Sequence, residues 1–238
     1  MNVFRRRELK FLVDSRQREV LEQVLRERMI PDSHGRSTIC NLYYDTPDYR
    51  LIRRSLERPI YKEKLRLRSY GLAKPGVDVF LEMKKKYKGI VYKRRVRVTE
   101  TEAVDFIERR SPLRQDNQIS REMTYFRDFY VNLAPKVHLS YDREAWYDPA
   151  DRGFRITLDR NIQYRTTDLS LTIPAGGREI LTPDQSLLEV KAEGAIPLWL
   201  SEELSVLKLH KQSFSKYGRA YQELLSERLM ERRGCFYA

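Results

Sequence analysis

Lys62-Glu63-Lys64-Leu65-Arg66-Leu67-Arg68 alternates cations with leucines. In a β-strand, successive side chains point to opposite faces. Lys62, Lys64, Arg66 and Arg68 then share one face, and Leu65 and Leu67 the other. Four cations on one strand face repel each other unless water or an anion lies over them. The second case is a phosphate site.

The same phase recurs outward from this stretch. Arg6, Glu8 and Lys10 oppose Leu9, Phe11 and Val13 in a strand over 3–13. Glu82, Lys84 and Lys86 oppose Val79, Leu81 and Met83 in a strand over 78–87. Lys93, Arg95 and Arg97 share a face over 91–98, after a hairpin at Lys88-Gly89. Arg155, Thr157 and Asp159 oppose Phe154, Ile156 and Leu158, and Glu189, Lys191 and Glu193 oppose Leu188, Val190 and Ala192. Further strands are expected over 37–45, 136–146 and 163–172. Helical spacing marks a segment after the cap at Asp14 or Ser15 that ends by Pro31, a short one over 49–55, and segments on either side of Pro112. Two more follow over 199–209 and 215–232.

That is about eight strands, antiparallel by their short connections, with helices between them. A one-sided sheet with its charged face in water satisfies the pattern. Closing the sheet around the charged face satisfies it too, and removes the edges. A lumen full of Lys and Arg must then hold an anion, because unpaired buried charge costs several kcal/mol or more.

Composition narrows the function. The 238 residues fit one α+β domain over 1–238, with no linker or repeat. Lys and Arg number 46 against 34 acids, a formal charge of +12, which favours polyanionic partners: nucleic acid, an anionic membrane surface or phosphorylated compounds. No zinc-finger, helix-turn-helix or RNP motif supports nucleic acid, and no Gly-x-x-x-x-Gly-Lys-Ser/Thr loop supports a P-loop ATPase. Cys40 and Cys235 carry no motif, and His34, His138 and His210 are scattered. Met1 to Lys10 lacks the apolar region of a signal peptide, and no apolar run approaches a membrane span, so a cytoplasmic chain is expected.

Several motifs, in order, resemble the VTC domain family, whose polyphosphate polymerases belong to the triphosphate tunnel enzymes. They are 6–11 (RRELKF), 43–46 (YYDT), 64–71 (KLRLRSYG), 80–84 (FLEMK), 188–191 (LEVK) and 213–217 (SFSKY). The resemblance runs from about Phe4 to Tyr221. It implies a closed eight-stranded antiparallel β-barrel with helices packed outside. It also implies transfer of the terminal phosphate of ATP onto inorganic polyphosphate, assisted by Mn²⁺ or Mg²⁺.

Carried over by motif, Lys10, Arg66, Arg68, Lys84, Arg143, Arg155, Lys191 and Lys216 are the catalytic cations. Lys64, Lys93, Arg95, Ser215 and Tyr141 join them at the phosphates. Glu189 matches the metal-binding glutamate. Glu8 and Glu82 are either further metal ligands or partners of neighbouring cations. Arg5, Arg7, Lys62, Lys85, Lys88, Arg94, Arg232 and Arg233 are read as solvated. Such chemistry needs alignment and charge neutralisation more than a base, because the attacking phosphate is already ionised.

One departure matters. Hydrolytic members of the tunnel group open with Glu-x-Glu-x-Lys, and here the first position is Arg6. This favours a polymerase over a triphosphatase, while retention of Glu189 and the full cation set argues against a non-catalytic polyphosphate-binding subunit. Eukaryotic relatives carry a membrane segment, so a separate membrane partner is a further expectation.

Overall fold

The computed structural model describes residues 7–33, 35–88 and 90–234. The expectations at Arg6, Gly89, His34 and Cys235 lie outside them. The elements in chain order are β1 (Arg7–Val13), α1 (Ser15–Arg28), β2 (Ile30–Pro31), β3 (Ser37–Asp45), α2 (Arg50–Leu56), β4 (Tyr61–Tyr70), β5 (Val79–Tyr87) and β6 (Ile90–Val98). They continue with α3 (Glu100–Glu108), α4 (Gln118–Phe129), β7 (Ala134–Tyr147), β8 (Arg155–Arg165), β9 (Arg178–Glu179), β10 (Ser186–Ala192), α5 (Leu198–Val206) and α6 (Lys216–Gly234).

Local chemistry sets the helix starts. Asp14 and Gln17 form a reciprocal capping box on α1, Thr99 caps α3, and Asn117 caps α4 through the backbone N–H groups of Ile119 and Ser120. The strand expected over 163–172 does not form separately. β8 runs on to Arg165, past a register shift opposite Ser140 and Asp142, and the chain then turns away.

All ten strands join one antiparallel sheet, with the path β1-β10-β8-β7-β3-β4-β5-β6; β2 pairs with β7 and β9 with β8. The sheet curls until Glu8 on β1 comes within 3.6 Å of Lys84 on β5. It is not closed: the hydrogen-bonded path ends at β1 and β6. This corrects the closed eight-stranded barrel. The physical reason is that another segment takes the outer edge of β1. The Gln212 N–H donates to the Lys10 carbonyl (2.8 Å), and Lys10 Nζ donates to the Phe214 carbonyl (2.9 Å).

The convex face carries two apolar clusters. Leu42, Leu65, Leu67, Leu81 and Met83 pack under α3 and α4 through Phe106, Met123 and Phe126. Phe11, Val13, Ile156, Leu158 and Val190 pack under α1 and α5 through Leu21, Leu25, Leu200 and Leu204. These helices lie outside, as expected. α6 does not. Its Tyr217, Ala220 and Tyr221 pack against Ile39, Tyr43, Val137, Leu139, Ile162 and Leu187, which share their strand faces with the concave cations. α6 therefore fills one end of the concavity, and its first turn enters the charged region.

Among the described residues, His138 on the convex face is a buried group without a hydrogen-bond partner. His138 is fully buried, neither ring nitrogen is hydrogen-bonded, and burial with nearby Arg165 lowers its pKa from 6.5 to about 4. A histidine kept neutral by the fold contributes stability that is complete above pH 6.5 and lost as pH falls towards 4. Between pH 7 and pH 4.5 its contribution should fall by about 2–3 kcal/mol. Urea unfolding at the two pH values should show a smaller drop in His138→Leu than in the parent chain.

Candidate functional site

Glu82 on β5 is the hub of one half of the concave face. Arg66 donates to it through Nε (3.0 Å) and Nη2 (2.8 Å), Lys93 Nζ lies 2.7 Å away, and Arg95 Nε donates at 2.6 Å. Arg68 Nε is 3.9 Å away and is turned towards Asn41 and the Tyr141 hydroxyl. Burial alone would raise the Glu82 pKa, but Arg66, Arg68 and Lys93 together pull it well below the carboxylate range. The antiparallel register places Arg66, Glu82 and Arg95 side by side on three strands.

Asp159 and Glu189 anchor the other half. Arg143 forks onto Asp159 at 2.6 and 2.7 Å and reaches Glu189 at 3.5 Å. Lys216, in the first turn of α6, lies 2.5 Å from Asp159 and 3.1 Å from Glu189. Lys10 and Lys191 approach Glu189 at 3.3 and 3.8 Å, and Lys10 also pairs with Glu8 at 3.0 Å. Despite burial, Lys216, Lys10, Lys191 and Arg143 hold the Glu189 carboxyl well below its usual range.

α6 is fixed here by two of the sequence motifs. The Tyr217 hydroxyl donates to Asp45 (2.9 Å), and its ring stacks on Tyr43 with centroids 4.4 Å apart. The Tyr43 hydroxyl accepts from Arg66 (3.1 Å). Ser215 caps α6 by accepting the Gly218 N–H and also accepts from Lys64 Nζ (3.0 Å). Tyr141 lies under Lys216 and Arg143; burial would raise its pKa, but Arg143, Arg68 and Lys216 lower it to about 8.

The structure thus brings together Lys10, Lys64, Arg66, Arg68, Lys84, Lys93, Arg95, Arg143, Lys191 and Lys216 against the carboxylates Glu8, Glu82, Asp159 and Glu189. Ten cations face four anions. Arg155 lies on the same face, beside Lys191, but it is exposed and forms no ion pair among the described residues. Lys62, read as solvated, is half-buried and donates to the Ser55 carbonyl (3.0 Å). Asp159 was not singled out from sequence, although its place in phase with Arg155 was the available signal. Asp45, Tyr43 and Asn41 carried no such signal.

A divalent cation is implied by the family resemblance. Among the described residues no group of three or more His, Cys, Asp and Glu could hold one unaided. The donor set fits an ion that also takes substrate oxygens. Glu189 and Asp159 converge on the same Lys216 and Arg143, and Thr157, opposite Glu189 in register, has a buried hydroxyl with no partner.

A curled antiparallel sheet with a cationic concave face defines the structural class. Its fold is similar to that of a putative adenylate cyclase from Bacillus halodurans (TM-score 0.54, 16% identity, 90% of this chain and 94% of that one). It is equally similar to a putative adenylyl cyclase from Hippeastrum for which a dominant triphosphatase activity is described (0.54, 15%, 88% and 92%). The VTC domain model matches residues 5–225, and the chain belongs to the VTC domain family. No curated protein matches by sequence. No described helix is long and apolar enough to cross a membrane.

Two lysines of the concave site have pKa values brought down towards neutral. Burial, then Lys84, Lys62 and Lys10, lower the Lys64 pKa to about 7, and burial lowers Lys93 to about 8 against the pull of Glu82. A bound polyanion favours the charged amines and takes up protons. Tripolyphosphate affinity should therefore fall as pH rises from about 7 to 9. Titration calorimetry in buffers of different ionisation heat should show proton uptake, and Lys64→Arg should flatten the pH dependence.

Proposed function

We propose that the chain is a polyphosphate polymerase, transferring the terminal phosphate of ATP onto an inorganic polyphosphate chain held in the concave site. One observation carries the reading: ten cations face four carboxylates in a concavity that α6 covers at one end. That excess matches a polyanion rather than a single phosphate. Arginine forks at Arg66, Arg68 and Arg143 suit phosphate oxygens bidentately, while Lys10, Lys84, Lys191 and Lys216 add point charges. Membership of the VTC domain family supports the same substrate class.

Glu189 and Asp159 would hold Mn²⁺ or Mg²⁺ together with phosphate oxygens. The ion supplies neutralisation of charge on the transferred phosphoryl group. The protein's own residues do the rest. Arg66 and Arg68 fix the phosphate chain, Lys216 and the capped start of α6 close over it, and Tyr141 holds a hydroxyl beside Arg68. The acceptor is an ionised phosphate, so no base is required. A triphosphatase would use the same groups with water as acceptor, and the activity described for the Hippeastrum protein makes this the second reading. A cytoplasmic site of action and a separate membrane partner belong to the same proposal.

Incubation with ATP and Mn²⁺ should give a ladder of polyphosphate on a gel; free phosphate without a ladder would establish the triphosphatase instead. Glu189→Gln should abolish turnover while leaving most polyphosphate binding, and intact turnover would remove Glu189 from the metal site. Arg66→Ala or Arg68→Ala should weaken polyphosphate binding by about 1.5–3 kcal/mol, the range for hydrogen bonds to charged groups. Unchanged affinity in both would reject the concave site.

A further inference from the structure

A second cavity lies on the opposite, convex side of β4. Its volume is about 210 Å³, and Tyr61, Glu63, Tyr125, Phe126, Phe129 and Tyr130 form its floor and walls, with Arg54 and Lys85 also lining it. Glu63 shares its strand face with Leu65 and Leu67, so it points away from the concave cations. It is 8% exposed, and its two oxygens accept from the Tyr130 hydroxyl (2.7 Å) and the Tyr61 hydroxyl (2.6 Å). Among the described residues no Lys or Arg forms an ion pair with it. Both phenols have pKa values raised by burial, then by the hydrogen bond to Glu63 and by its charge. A buried carboxylate with only neutral partners is costly.

The walls suit a cation. Arg50 already sits over the rings of Phe129 and Tyr130 at 5.8 and 5.5 Å, and aromatic faces around a carboxylate attract ammonium groups. Arg54 and Lys85 give the same cavity positive charge, which disfavours a simple cation and favours one that carries its own anion. Lys85 is only loosely engaged, 3.8 Å from Glu122. Tyr125 and Phe129 are 69% and 50% exposed, so the cavity is reached from solvent.

We propose that this cavity binds a phosphoryl-alkylammonium group, with its ammonium against Glu63 between the aromatic rings and its phosphate at Arg54 and Lys85. The group is either a small zwitterion or a lipid headgroup. The site is separate from the concave face and stands whether or not the chain makes polyphosphate.

The test is calorimetric titration of the full chain with phosphocholine, choline and inorganic phosphate, with saturating tripolyphosphate present to fill the concave site. Phosphocholine should bind at least tenfold more tightly than choline or phosphate. Tyr125→Ala removes only an exposed ring, and Glu63→Gln removes the floor charge. Each should weaken phosphocholine at least tenfold, and Tyr125→Ala should leave tripolyphosphate affinity unchanged. Absence of phosphocholine binding to the parent chain, or affinity unchanged from the parent in both variants, would overturn the site. Sedimentation with phosphatidylcholine vesicles distinguishes the sources. Co-sedimentation lost in Tyr125→Ala identifies a headgroup, and binding of free phosphocholine without co-sedimentation identifies a soluble zwitterion.

Discussion

Glu82 binds cations from the two strands that flank its own, and the cationic face depends on that arrangement. Two like charges 4 Å apart repel by about 4 kcal/mol at the effective dielectric of a partly buried site. Arg66, Lys93 and Arg95 would separate, or the strands carrying them would, if nothing negative lay between them. One carboxylate, 1% exposed in its side chain, supplies that charge to all three. Asp159 and Glu189 do the same for Arg143, Lys10 and Lys216. The anions are too few to neutralise the face but enough to hold its shape. A phosphate chain then meets guanidinium and ammonium groups already aligned, so little ordering remains for binding to supply.

The strands that could be read from sequence are those whose two faces differ sharply in polarity. The 62–68 alternation lies within β4, and β3 coincides with the expected 37–45. Failure came where both faces are apolar or buried. On β7, Val137, Leu139 and Tyr141 point inward, under α6, while His138 and Ser140 are buried on the other side. Period two identifies such a strand without saying which face is inside. The family resemblance placed α6 outside with the other helices. Its apolar stripe finds the concave end of β3, β7, β8 and β10 because Ile39, Tyr43, Val137, Leu139, Ile162 and Leu187 offer an apolar surface there.

The candidate site was read unevenly for a related reason. Charged residues in strand phase were visible, and all but Arg155 and Lys64 of the cations assigned from sequence meet in the ion-pair network, Lys64 donating instead to Ser215. Arg155 keeps the phase but lies at the very start of β8, where the face opens to solvent. Phase fixes a face and not a depth. The groups that set depth are uncharged or distant in sequence. Tyr217 reaches Asp45 across 172 positions, and no local pattern announces that bond. Yet both residues belong to motifs that carried the family resemblance. Asp45 also accepts the backbone N–H groups of Leu51 and Ile52, so one carboxylate fixes α2, β3 and α6 together.

This linkage explains why cations and aromatics alternate around the site. Lys216 enters the charged region only because Tyr217 is held at Asp45 and stacked on Tyr43, and Tyr43 in turn accepts from Arg66. A displacement of α6 would move Lys216 away from Asp159 and Glu189 and expose Lys64, which donates to Ser215. The apolar packing of α6 and the charge balance of the concave face are therefore one constraint. The aromatic contacts resist the outward force on Lys216 from its cationic neighbours, and the two carboxylates supply the inward one. Anion binding would add to the inward pull on the same packing.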